Sequence, residues 1–170
     1  MSDRPVVTYD DLSQRALLAI ALLGVEDWRR ARDLRDPNLD ALVQHLWDWM
    51  TVGPRSFDEW CDWESPALEF ALEPRSLFPF DMAGYWAAAG CTEAQARGLL
   101  APLVELVDDH LFTAIDRDQL LARFKDVRRQ LAVDGILFRP PTTFADSPAT
   151  ELDGWGRRLD DTGLRDWRSR

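Results

Sequence analysis

The pattern of hydrophobic and polar positions along this chain predicts helices over most of its length. Across residues 12–23, apolar side chains recur at helical spacing and also fill the other faces, which is typical of a central helix buried on all sides. Thr8 is followed by Asp11 in a capping-box-like pattern. We therefore expect the first helix to begin near Thr8.

The second predicted helix has the clearest local signals. Asp36 can cap it, and Pro37 suits the first helical position because its missing N–H is not needed there. A continuous apolar stripe follows, made of Leu39, Leu42, Val43, Leu46, Trp47 and Met50. At about 100° per residue, Trp47 and Trp49 fall on opposite borders of this stripe.

Capping residues and breaks divide the rest of the chain into shorter helices. Gly53 and Pro54 interrupt the chain, and Ser56 with Glu59 has the spacing of a capping box. Further starts are marked by Ser65, Thr92 and Asp116. Pro102 falls inside an apolar stripe, where we expect a kink and not a break, and Gly135 is expected to end the last helix of the bundle.

These elements predict an all-α fold: residues 1–144 form a single globular bundle of about six or seven helices with short irregular extended segments, one of them at residues 5–8. Residues 145–170 are rich in Gly, Asp and Arg, so we expect a C-terminal tail that is mobile or peripherally docked. Its candidate anchors are Leu152, Trp155, Leu159, Leu164 and Trp167.

The composition indicates what class of protein this is and where in the cell we expect it. The chain is 46% hydrophobic and 29% charged, as in ordinary globular proteins. The segment MSDRPVVTYDDLSQ has no basic stretch followed by an apolar run, and the longest apolar run, residues 16–25, is too short to span a bilayer. We therefore expect a cytoplasmic protein.

The charge pattern indicates what kind of partner to expect. The net charge is −10, and residues 46–73 carry seven acids against one base, Arg55. Direct binding to nucleic acid or to an anionic membrane is disfavoured, because both require a cationic surface. A basic protein is the favoured partner.

The acidic region coincides with a cluster of tryptophans in LWDWMTVGPRSFDEWCDWE, residues 46–64, in a chain that holds eight Trp. We predict that Trp47 and Trp60 lie in the core, whereas Trp49 and Trp63 lie at the rim among carboxylates. An indole ringed by polar groups has the composition of an interface anchor. The predicted partner-binding residues are Trp49, Asp58, Glu59, Asp62, Trp63 and Glu64.

Motifs for chemistry are few. The chain lacks GxxxxGK[ST], GxGxxG, GxSxG and HExxH, the patterns of phosphate sites and common hydrolases. His45 with Cys61 is one candidate for catalysis or metal binding, and His110 with Asp108, Asp109 and Asp116 is the other. We expect His45 to be a boundary residue and Asp116 to be a helix cap, and hence no cofactor, no metal and a non-enzymatic function.

The chain resembles the small acidic α-helical immunity proteins that bacteria encode beside polymorphic or contact-dependent toxins. The resemblance lies in size, acidity, helix order and Trp usage over residues 8–138, with NLDALVQHLWDW and LARFKDVRRQLAVDGI as its main segments. It implies a protein that binds one cognate toxin domain, often a basic nuclease or nucleotide-modifying enzyme, and blocks its active site.

Two other functions fit the same residues. One is a small-molecule-binding or enzymatic helical domain whose pocket is lined by Trp47, Trp49, Trp60 and His45, with Cys61 as a nucleophile. The other is a homo-oligomeric scaffold that associates through its aromatic face, since the sequence leaves the oligomeric state open.

Overall fold

Eight α-helices and four short 3-10 turns make up the regular structure of residues 6–170, the part of the chain that the computed structural model describes. The helices are α1 (Gln14–Ala31), α2 (Pro37–Asp48), α3 (Phe57–Cys61), α4 (Pro66–Leu72), α5 (Phe80–Ala88), α6 (Glu93–Asp108), α7 (Arg117–Val133) and α8 (Asp161–Arg168). The 3-10 turns span Tyr9–Asp11, Trp49–Thr51, Pro141–Phe144 and Glu151–Gly154. Within residues 6–170 there is no β-strand, and the only β pairing is an isolated bridge between Leu12 and Pro148. The predicted all-α fold is confirmed.

Helix α1 is the centre of the bundle, as its pattern predicted. Residues 14–25 are buried on every face, and α1 packs against α2, α6, α7 and α8. No helix in the described part of the chain is both long and apolar enough to cross a membrane.

The start of α1 differs from the prediction. Thr8 and Asp11 do form a capping box, but it closes the separate 3-10 turn Tyr9–Asp11. The chain is then extended at Leu12, and α1 begins one residue after Ser13, whose hydroxyl accepts a hydrogen bond from the Ala16 amide at 3.2 Å. Pro5, at the start of the predicted extended segment, lies outside the described residues.

Helix α2 has the predicted start. The buried Asp36 carboxylate accepts the Asn38 amide at 2.9 Å and the Trp86 indole N–H at 2.8 Å, so the cap also ties α2 to α5. The α-helix ends at Asp48, and Trp49 opens the 3-10 turn that follows.

The two short helices after the Gly53–Pro54 break begin differently. Ser65 caps α4 by accepting the Leu68 amide at 3.1 Å, as predicted. The capping box predicted at Ser56 is wrong: the Ser56 side chain makes no cap bond to α3 and bonds to the backbone of Gly53 instead. The hydroxyl closes the turn before the helix and is therefore not available to the helix itself.

Helices α6 and α7 pack closely against each other, and both contact α1. Thr92 and Gln95 form the predicted capping box, and α6 runs without a break through Pro102. Helix α7 is followed by Gly135 with a φ of +74°, where the Ile136 amide donates to the Leu131 carbonyl at 3.2 Å. This is the left-handed helix end that the sequence predicted.

The C-terminal segment, residues 145–170, is docked against α1 and the Trp49–Thr51 turn. Trp167 is 1% exposed and Leu159 is buried, whereas Leu152, another candidate anchor, is 61% exposed. The Leu159 amide donates to the Met50 carbonyl at 2.8 Å. The segment therefore completes the core instead of lying loosely on it.

A buried cation fastens this segment. The Arg15 guanidinium donates to the carbonyls of Gly156 at 2.7 Å, Val52 at 3.0 Å and Trp49 at 3.4 Å. It has no carboxylate in ion-pair contact among residues 6–170, and burial lowers the pKa of Arg15 to about 10, with a further contribution from Arg158. The guanidinium remains charged at neutral pH and joins three separate segments.

Candidate functional site

An imidazole packed between two indoles forms the centre of the region that the sequence singled out. His45, near the end of α2, stacks on Trp60 of α3 with ring centroids 4.2 Å apart and planes at 10°. It stacks equally closely on Trp63, at 4.1 Å and 16°. Two indoles cannot share one face of an imidazole at these distances, so they lie on opposite faces. We call Trp60, His45 and Trp63 the aromatic stack.

His45 is deeply enclosed by this arrangement, with 8% of its surface exposed. Neither imidazole nitrogen has a hydrogen-bond partner among the described residues, yet neither nitrogen is fully sealed from solvent. Burial lowers the pKa of His45 to about 4. At neutral pH the ring is uncharged and offers one nitrogen as an acceptor and the other as a donor.

Trp49 is in the core, contrary to the prediction that it lies at the rim and faces a partner. It is 3% exposed, and its indole N–H donates to Gln14 Oε1 at 3.1 Å. Trp60 and Trp155 pack beside it, with centroids 4.9 and 5.7 Å away. The tighter 3-10 turn after Asp48 changes its direction, and the distant C-terminal segment covers it, so it cannot contact a partner.

Trp60 and Trp63 differ in whether their indole N–H has a hydrogen-bond acceptor. Trp60 is half-buried, and its N–H donates to the His45 carbonyl at 2.9 Å, which pins α3 to the end of α2. Trp63 is also half-buried, but no described residue accepts its N–H. Trp63 therefore retains both exposed surface and a free donor, as a rim residue would.

The carboxylates around the stack are all exposed and free of ion pairs. No residue in the described part of the chain forms a salt bridge with any of the seven acids of residues 46–73. They are Asp48, Asp58, Glu59, Asp62, Glu64, Glu69 and Glu73. The predicted partner-binding acids Asp58, Glu59, Asp62 and Glu64 flank the two indoles of the stack in sequence. None of these acids is paired with a cation among residues 6–170, so their charge is exposed to solvent.

A shallow groove continues this charge along α4. Its lining combines acidic and apolar residues, namely Glu64, Ser65, Pro66, Leu68, Glu69, Leu72 and Glu73. The guanidinium of Arg97, which bonds to the backbone at the end of this groove, donates to the carbonyls of Phe70, Glu73 and Ser76 at 2.7 to 3.1 Å. Glu64 belongs to both the groove and the surroundings of Trp63.

Phe112 was not predicted to be part of this region. This residue follows α6, is 81% exposed, and packs edge-on against Phe57 of α3 at 5.7 Å. Asp108, at the end of α6, is close enough to Cys61 to influence its pKa. The only sequence signal was a large apolar residue in the loop between two predicted helices, which does not reveal a neighbour from α3.

Cys61 is not activated as a nucleophile. Burial raises the pKa of its thiol, and the charges of Asp58, Asp62 and Asp108 raise it further. The other residues of the proposed pocket leave little space, because Trp47 is fully buried with its N–H donated to Glu26 at 2.8 Å. Trp47 and the buried Trp49 therefore fill the interior instead of lining a pocket beside Cys61.

His110 and the nearby aspartates do not assemble into a metal site. Asp116 caps α7 by accepting the Gln119 amide at 3.1 Å, and its own amide donates to His110 Nδ1 at 3.4 Å. His110 is buried and its Nε2 has no partner within residues 6–170. In that part of the chain no three His, Cys, Asp or Glu side chains are grouped so that they could hold a metal ion.

Comparisons of this chain with protein-family models, with curated proteins and with solved structures found no match.

Proposed function

We propose that this chain is a non-enzymatic, cytoplasmic protein-binding module of the immunity type, which captures and blocks a basic toxin domain. Binding occurs through an acidic aromatic surface formed by Asp58, Glu59, Asp62, Trp63 and Glu64. The observation that carries this proposal is the set of seven exposed acids without ion-pair partners in residues 46–73, the same stretch that contains the half-buried Trp63 indole with its free N–H.

The negative charge of this surface should speed its encounter with a basic partner. Exposed charges act over roughly 8–10 Å at physiological salt, and a concentrated negative patch raises the rate of encounter with a basic protein. Acids that already had ion-pair partners would contribute little to this field. The absence of internal partners therefore favours an external cation.

Trp63 should act as the anchor that holds the bound partner. A rigid indole buries a large area on contact at a small entropic cost, and residues of this kind often carry most of the binding energy of an interface. The aromatic stack holds Trp63 in place before the partner arrives. We expect this anchor to act mainly on the dissociation rate.

The resemblance to small acidic immunity proteins supports a toxin domain as the partner. Such a partner implies that the gene beside this one encodes a large secreted protein with a variable C-terminal domain. That domain, produced alone in bacteria, should arrest growth, and co-production of this chain should restore it.

Asp62→Lys should abolish most of this protection, because it reverses a charge at the centre of the surface. We expect binding at least about tenfold weaker, while the free energy of unfolding changes by no more than about 0.5 kcal/mol. Surface plasmon resonance at several salt concentrations, together with urea denaturation, measures both quantities.

Asp81→Lys is the matched control. Asp81 is exposed in the first turn of α5 and borders Pro37 and Asn38, at the opposite end of α2 from His45. It carries the same charge change away from the surface and should still protect. Equal loss in both variants, or an affinity of the wild-type protein that is independent of salt, would contradict capture through the acidic aromatic surface.

Self-association through the same surface is the less favourable alternative. A two-fold dimer brings identical patches together, so seven unpaired carboxylates would face seven others. We expect a monomer by light scattering from micromolar to millimolar concentration at low salt. A dimer that is strengthened at low salt would contradict this expectation and favour a scaffold.

A further inference from the structure

We propose that the aromatic stack is a recognition slot for an arginine side chain of the partner, whose guanidinium lies in the plane of His45 between the indoles of Trp60 and Trp63. This inference rests on the proposed function and specifies the chemical group that the acidic aromatic surface takes.

The stack has the dimensions of such a slot. The imidazole holds the two indoles on opposite faces, at 4.2 and 4.1 Å from its own centre and within 16° of its plane. An indole is a wider ring system than an imidazole, so its outer part extends past the edge of His45. The edge of His45 that carries its nitrogens is open to solvent, and a flat group that enters there lies between the two walls in the same plane.

His45 marks the position where that group binds. Its side chain is enclosed to more than nine-tenths, but its nitrogens have no partner among the described residues. Neither nitrogen is fully sealed, so in the free protein both are in contact with solvent. A donor that enters between the indoles and reaches the imidazole nitrogen replaces this contact with a hydrogen bond that is shielded from water.

The surrounding charge selects a cation. The acids next to the two indoles are exposed and free of ion pairs, namely Asp58, Glu59, Asp62 and Glu64. Indole faces also attract cations through their quadrupole. The slot therefore combines two aromatic walls and an imidazole acceptor with exposed carboxylates that are close to the walls in sequence.

Arginine meets these requirements better than lysine. Its guanidinium is planar, weakly hydrated and able to donate several hydrogen bonds in one plane, whereas the ammonium of lysine is round and strongly hydrated. A basic segment with arginine at this position would bind through stacking and hydrogen bonds as well as charge. A segment with lysine would bind through charge alone.

The test compares two capped peptides of equal charge in which glycine alternates with four arginines or with four lysines. Isothermal titration calorimetry at low salt should show about tenfold tighter binding of the arginine peptide to the wild-type protein. In 15N NMR spectra, the imidazole nitrogens of His45 should shift with the arginine peptide and stay in place with the lysine peptide.

His45→Phe and Trp63→Ala provide the controls. Phenylalanine preserves a flat ring between the indoles and removes the acceptor, and Trp63→Ala removes one wall. Each variant should bring the arginine peptide to the affinity of the lysine peptide without changing the latter. The His45→Phe measurement and the NMR shifts remain decisive if Trp63→Ala is poorly folded.

The outcomes separate this inference from the proposed function. Equal, salt-sensitive binding of both peptides that Asp62→Lys abolishes would overturn the slot and leave electrostatic capture intact. An arginine preference that persists in His45→Phe and Trp63→Ala would also overturn the slot. No binding of either peptide at low salt would contradict the slot and electrostatic capture together.

Discussion

His45 is the side chain through which acid should weaken this fold. The unfolded chain takes up a proton on this residue near pH 6.5, whereas burial keeps the folded protein neutral there until about pH 4. The unfolding free energy contributed by His45 is therefore fully present above pH 6.5, declines as the pH falls, and levels off below about pH 4. The shift corresponds to at most about 3 kcal/mol, and residual solvent contact reduces our expectation to about 1–2 kcal/mol.

Urea denaturation between pH 4 and pH 7 measures this effect, with His45→Phe as the reference because it retains a ring in the stack and cannot be protonated. Carboxylates and His110, whose pKa burial also lowers, titrate in both proteins, so only the difference between the two curves belongs to His45. The free energy of unfolding of the variant should increase relative to that of the wild-type protein as the pH falls. Parallel curves would contradict a buried neutral imidazole.

Trp49 and Trp63, the two tryptophans predicted to lie at the rim, show what could be predicted from sequence at the scale of residues. For both, the helical periodicity indicated a border position beside acids. Trp63 has the expected half-exposed position, but Trp49 is covered by Gln14 and Trp155, which lie far away in the chain. Local periodicity contains no information about such distant neighbours, so it could not separate the two.

At the scale of elements, Gly24 sets how closely α1 approaches the end of α7 and the segment that follows it. A Cβ at this position would lie 2.7 Å from Phe138 and 3.0 Å from Leu131. Gly24→Ala should therefore destabilise the protein by about 1–3 kcal/mol, even though alanine favours helices by about 1 kcal/mol. Thermal and urea denaturation provide the measurement.

Gly84 in α5 is the matched control, since a Cβ there meets nothing within 4 Å. Gly84→Ala should stabilise the protein by about 0.5–1 kcal/mol. The same substitution in two helices is thus expected to have opposite signs. Two stabilising substitutions would mean that α1 does not pack as closely as the structure indicates.

The predicted helix starts show the same difference between local signals, which the sequence contains, and loop geometry, which it does not. The caps at Asp36, Ser65 and Thr92 could be predicted, because a cap and its helix are neighbours in sequence. The predicted box at Ser56 failed because its hydroxyl bonds to Gly53 in the preceding turn. A capping pattern states which bonds are available, and the geometry of the loop decides which of them forms.

At the scale of the whole molecule, the C-terminal segment belongs to the same core as the helices before it. Trp167→Ala should lower the unfolding free energy by about 3–5 kcal/mol, since its indole is fully buried and packs edge-on against Phe144 at 5.1 Å. Leu152→Ala, in the same segment but exposed, should change it by less than about 0.5 kcal/mol. A small effect of Trp167→Ala in urea denaturation would show that residues 1–144 are stable without the segment.

The bonds of Arg15 also constrain the order in which the molecule can form. Its guanidinium binds the Gly156 carbonyl across 141 positions, so on the ribosome this partner is synthesised long after Arg15 itself. Contacts between such distant positions slow folding, because a long loop must close before they form. We therefore expect α1 to remain incompletely packed until the C-terminal segment has been synthesised, and the Trp49 region to be covered only after Trp155 has left the ribosome.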